Sequence, residues 1–155
     1  MSAFGFDFTK NLSYFTIPVV FIATCIGPHT YAIVSSSKTY DNANPRGFRD
    51  SIAKNEAMDK SRRQTILRAK SASDNGFESL ALFVGGVLAA NQVGLHVSDL
   101  NTLSIGYLLS RLAYVFCYVK LGENRKLSSL RSLMWSISVG LCFTMWMKAG
   151  SKAMQ

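Results

Sequence analysis

The sequence predicts an all-α, integral membrane four-helix bundle, and three observations carry the prediction. Nearly half of the 155 residues are apolar, and mean hydropathy is positive despite 17 Lys and Arg. The apolar residues gather in four runs, each near the ~20 helical residues that cross a hydrocarbon core of ~30 Å. The charges gather between the runs. The length fits a single domain over 1–155.

The first span is expected from about Leu12 to Val34. It carries Pro18 near its start and Gly27-Pro28 inside, so the turn before Pro28 should loosen or kink. The second is expected from about Ile66 to Val93, the third from about Leu100 to Leu121, and the fourth from about Leu130 to Ala149. None of these three holds a proline.

The connections differ in charge. Lys38 to Lys70 holds nine basic and four acidic residues, and includes the breaker cluster Asn42-Ala43-Asn44-Pro45-Arg46-Gly47. Lys120 to Arg131 holds four basic residues and one acidic, whereas Asn91 to Asp99 holds no Lys or Arg. The positive-inside rule therefore puts the first and third connections in the cytosol and both termini opposite, with Lys10, Lys148 and Lys152 as mild exceptions. The net charge of +8 flanks hydrophobic runs, which points to an anionic membrane surface as the partner rather than nucleic acid.

Cys25, Cys117 and Cys142 all lie inside apolar runs and read as buried small hydrophobes, with no disulfide framework. The N-terminus lacks the pattern of a cleavable signal peptide. Asn11-Leu12-Ser13 matches a glycosylation sequon but sits hard against the first span, which argues against its use. His29 and His96 have no partner at ligand spacing, so no metal site is expected. Gly85/Ala89 and Gly86/Ala90 recur at four-residue spacing, as do Ser132, Ser136, Gly140 and Thr144. Such stripes let helices approach closely, within one chain or between copies.

Ionisable groups lead straight into the second apolar run, where a charge is costly and tends to serve binding or chemistry. Arg68, Asn75 and Glu78 are separated by seven and then three residues and share a helical face; Asp74 lies about 100° round from Asn75. Arg111, Tyr114 and Tyr118, separated by three and then four, share a face of the third span. A buried Arg111 requires a partner, and Glu78 is the expected one; their pair has a purely structural reading as well. Arg131 opens the fourth span, with Ser132 beside it and Trp135 one turn on. It reads either as an interfacial anchor or as an anion-binding group, and Trp135 and Trp146 read as interfacial belt residues.

At this point the chain resembles the MAPEG family, membrane-associated proteins of eicosanoid and glutathione metabolism. Arg68-Ala69, Ala72, Asn75 and Glu78 resemble its second-helix signature. Arg111, Tyr114 and Tyr118 resemble the third-helix pattern, Arg131-Ser132 the start of the fourth helix, and Asn44-Pro45 an Asn-Pro of the first loop. The resemblance implies a homotrimer, in the endoplasmic reticulum membrane of a eukaryotic cell, with a site between subunits. It implies that Arg68, Asn75, Glu78, Arg111, Tyr114 and Tyr118 hold glutathione. Arg131, with Ser132, would activate its thiolate toward a lipophilic electrophile or peroxide. The chain departs from the pattern at Ser73, where members often have His, at Asp74, where some have Arg, at Leu82, where Pro is common, and at Trp135, where some have Tyr. Two further readings follow. One is a glutathione-independent isomerase or cyclase of a lipophilic metabolite, with Asp74, Glu78 and the tyrosines as acid–base groups, Asp74 being a buried carboxyl able to donate a proton. The other is a non-catalytic lipid-binding scaffold.

Overall fold

A computed structural model describes residues 7–155, and every regular element among them is helical. Helix α1 (Ser13–Ser35) is followed by a short helix α2 (Phe48–Lys54) in the first connection, then by α3 (Lys60–Gln92), α4 (Val97–Leu121) and α5 (Ser128–Ala153). Helices α1 and α4 are long and apolar enough to cross a membrane. Large apolar side chains point outward along the rods, among them Phe15, Val34, Leu109, Phe116, Phe143 and Met147. Such a surface does not suit water.

Helix α1 shows the expected loosening. Pro28 has no N–H to give to the Thr24 carbonyl, and the six residues Phe21–Ile26 widen into a π-helical stretch in which the Gly27 N–H reaches back to Ile22 O. Helix α3 packs against this wide turn. Ser73 Oγ donates to Cys25 O at 2.7 Å. Gly76 lets the two helices close up: a Cβ there would stand 2.6 Å from Thr24 O. Ser73 and Gly76 are thus the residues that seat α3 on the wide turn.

Helix α3 begins at Lys60, six residues before the expected start at Ile66, because the Asp59 side chain caps it by accepting from the Arg62 N–H. It ends where Gly94 takes φ +67° and Leu95 N–H returns to Ala90 O, a six-to-one closure that favours glycine in the left-handed region. At this end Asn101 Oδ1 accepts from the Leu12 N–H while its Nδ2 donates to Phe8 O and Lys10 O. Asn11 donates to Asn91 at 2.6 Å and accepts from the Ser13 hydroxyl. The sequon is therefore part of a clasp between the chain's beginning and α3. Lys148, one of the charges at odds with the positive-inside pattern, pairs with Asp99 at 2.9 Å.

Two apolar cores result. One gathers Ala32, Phe48, Ile52, Ile66, Ala69, Ala72, Tyr114 and Val119, with α2 contributing Phe48 and Ile52 as a plug. The other gathers Val20, Phe83, Val87, Leu103, Tyr107, Cys142 and Met145, with the Phe83 and Tyr107 rings stacked at 4.0 Å. The three cysteines are free, two of them buried. Trp146 packs over Gly85 and Gly86 and donates to Leu82 O at 3.0 Å, so its indole N–H serves helix packing. The stripe Ser132, Ser136, Gly140 and Thr144 is exposed throughout, and a Cβ on Gly140 would meet nothing within 4 Å. It makes no packing surface within the chain.

Candidate functional site

Between the two cores lies a polar layer centred on Arg111. Its guanidinium is fully buried. Nη1 donates to Asn75 Oδ1 at 2.9 Å, and Asn75 Nδ2 in turn donates to Glu78 Oε2 at 3.3 Å. Glu78 is therefore not the direct partner expected for Arg111. Glu78 is exposed, and the amide of Asn75 stands between the two charges. The spacing of Asn75 and Glu78, three residues apart on one helix, makes this relay possible. Arg111 Nε and Nη2 are buried with no acceptor among the described residues.

The cation also lies over the Tyr114 ring, 4.5 Å from its centroid. Tyr114 meets Tyr118 edge to face at 5.7 Å, and Arg131 lies over Tyr118 at 4.6 Å. Two guanidiniums thus bracket two aromatic rings, an arrangement favoured by the negative faces of the rings. Tyr118 belongs to a second π-helical stretch, Cys117–Leu121. Wide turns of this kind recur at functional sites. The stack ties the first turn of α5 to the last turn of α4.

The stack opens into a cleft of about 470 Å³ lined by Arg49, Ser71, Asp74, Asn75, Glu78, Tyr114, Tyr118, Arg131, Ser132 and Trp135. Seven of the nine candidate site residues read from the sequence meet here: Asp74, Asn75, Glu78, Tyr114, Tyr118, Arg131 and Ser132. Arg111 lies behind them. Arg68 does not join them. It lines a different cleft, where it donates to Thr65 at 2.8 Å and lies 3.5 Å from Glu123. Two turns of helix separate Arg68 from Asn75, so a shared face did not make a shared pocket.

Asp74 is ion-paired to both Arg49 and Lys70. It is half-buried and doubly paired, not the buried carboxyl on which the acid–base reading was based. Arg49 was missed in the sequence. The signal was the amphipathic pattern of Phe48 and Ile52, which buries one face of α2 and leaves Arg49 turned to the cleft. Lys70 and Asp74 stand four residues apart, a spacing that reads directly as a helical ion pair. The Asp74–Arg49 pair, Glu78 and Arg131 all line the cleft, together with hydroxyls and one amide. Such a lining suits a ligand that carries charges of both signs.

Among curated proteins and among solved structures none matches this chain. The MAPEG family, in contrast, matches residues 15–151, nearly the whole length, and includes every residue of the cleft. With its all-helical architecture and its two membrane-capable helices, the chain belongs to the MAPEG family of helical membrane proteins.

Proposed function

We propose that this protein is a membrane-bound, glutathione-dependent transferase or isomerase acting on a lipophilic electrophile or peroxide. In this reading all four long helices cross the endoplasmic reticulum membrane, the two basic connections face the cytosol, and three copies assemble around shared clefts. The observation that carries the reading is the stack of Arg111, Tyr114, Tyr118 and Arg131, with Ser132 at its open end and Asn75 and Glu78 beside it.

The cleft suits glutathione by its donor set. Arg131, which is in no ion pair among the described residues, supplies a cation for a carboxylate, and Glu78, exposed on the cleft wall, supplies an acceptor for an ammonium. The orphaned donors of Arg111 add positive potential from behind. What glutathione supplies when bound is a nucleophilic thiol. Arg131, held over the Tyr118 ring, would favour the charged form of a sulfur beside it, and the Ser132 hydroxyl would be a hydrogen-bond donor on the same cleft wall. Tyr118 and Tyr114 keep the Arg131 side of the cleft shaped and partly dry. Trp135 and the apolar outer surface admit a lipophilic co-substrate from the bilayer side. The exposed Ser132–Thr144 stripe supports close approach of a second copy.

Glutathione titrated into the detergent-solubilised protein tests this. Binding with an ultraviolet thiolate signal, lost in Arg131→Gln, is the expected result. Absence of both at millimolar glutathione removes the reading and leaves the glutathione-independent isomerase or cyclase and the lipid-binding scaffold.

A further inference from the structure

A second polar cleft, of about 510 Å³, lies where α1 ends, α3 begins and α4 ends. Its lining includes Tyr31, Arg62, Thr65, Arg68, Lys120 and Glu123. The charges in it are unevenly matched. Glu123 is occupied by Ser61, at 2.5 Å, and by Arg68. Asp59, also in the lining, is occupied as the cap of α3. Arg62 spends Nε and Nη2 on the last carbonyl of α1, Ser35 O, at 3.0 and 2.8 Å, and Nη2 also reaches Ser37. Those acceptors are neutral. Lys120 lies over the Tyr31 ring at 5.4 Å. Neither Arg62 nor Lys120 is in an ion pair among the described residues. Thr65 Oγ1 accepts from Arg68, so its own proton remains free to donate.

Two cations without carboxylates, plus hydroxyl donors, ask for an anion with several acceptor oxygens. The cleft opens beside the basic connections, at the level where the helices leave the apolar zone. Basic pockets between membrane helices at that level hold lipid headgroups. We propose that this cleft binds a phosphate group, held by Lys120 and Arg62 with Thr65 as hydrogen-bond donor, as presented by an anionic phospholipid or by free phosphate. The inference rests on the membrane placement proposed above for its lipid source, but not on glutathione use.

Native mass spectrometry of the detergent-solubilised protein tests it, with phosphatidic acid, oleate of matching chain length, or inorganic phosphate added. The expected result is retention of phosphatidic acid but not of oleate, reduced several-fold in Lys120→Gln and unchanged in Lys126→Gln, a basic side chain outside the lining. Displacement by inorganic phosphate identifies free phosphate as the source; its failure to displace identifies the headgroup. Equal retention of oleate, or retention untouched by Lys120→Gln, overturns the proposal. A chain that stays dispersed without detergent defeats the membrane placement separately, and the inorganic phosphate arm with Lys120→Gln still decides the cleft.

Discussion

Arg111 gives its one satisfied hydrogen bond to Asn75, at 2.9 Å, and the Asn75 amide passes the contact on to Glu78. A fully buried guanidinium thus meets a neutral oxygen rather than a carboxylate. Removing that oxygen strands the charge. Asn75→Ala should lower stability by about 1.5–3 kcal/mol, the range for a hydrogen bond to a charged group. Arg111→Met in the same chain should recover much of the loss, because replacing both partners removes the stranded charge. Thermal unfolding of the two single variants and the double variant in one detergent checks this. Additive losses would contradict the relay.

Asp74 is already committed to Arg49 and Lys70. Asp74→Asn should therefore leave kcat within a few-fold of the parent in a glutathione-dependent assay, whereas Arg131→Gln should abolish it. Loss of turnover in Asp74→Asn with folding intact would favour acid–base chemistry at that carboxylate.

Gly76→Ala should destabilise the protein by about 1–3 kcal/mol, the usual cost of overpacking. The new methyl would stand 2.6 Å from Thr24 O, a backbone atom that cannot swing aside. Ser73→Ala, which only deletes the bond to Cys25 O, should cost about 1 kcal/mol. Melting temperatures that rank the two variants in the opposite order would refute the close-approach argument.

Gly140 has open space before it. Gly140→Leu should leave the protomer's fold and melting behaviour intact while weakening self-association, seen as a smaller species in native mass spectra. An unchanged oligomer would exclude this stripe from the contact between copies.

Glu123 lies outside the spans, and the hydrogen bond from Ser61, followed by the one from Arg68, holds its carboxyl below the ordinary value of 4.5. A depressed folded-state value means that the tie stabilises above 4.5 and is lost as pH falls through the lower value. The contact between α3 and the α4–α5 connection should therefore loosen only in acid. Hydrogen exchange at Ser61 to Arg68 should rise there, and Glu123→Gln should show the same rise at neutral pH.

Much of the helical plan was legible because it is local. Apolar runs of membrane length, Pro28 and the charged connections are properties of adjacent residues. Each long helix was located to within a few residues, except for the start of α3. There the Asp59 cap outweighed the polarity of the residues that follow. The face shared by Arg111, Tyr114 and Tyr118 was legible for the same reason, since helical spacing alone aligns them.

What the sequence by itself determined is an all-helical chain, apolar enough for lipid, with Arg111, Tyr114 and Tyr118 aligned on one helical face and Asn75 and Glu78 on another. The tertiary structure alone decided which of those groups meet. It set Asn75 between Arg111 and Glu78, brought Arg49 from the first connection onto Asp74, and sent Arg68 to a separate cleft. Periodicity fixes direction around one helix axis. The height at which neighbouring helices cross depends on caps, wide turns and close contacts such as Gly76 against Thr24, and these form only when the rods pack.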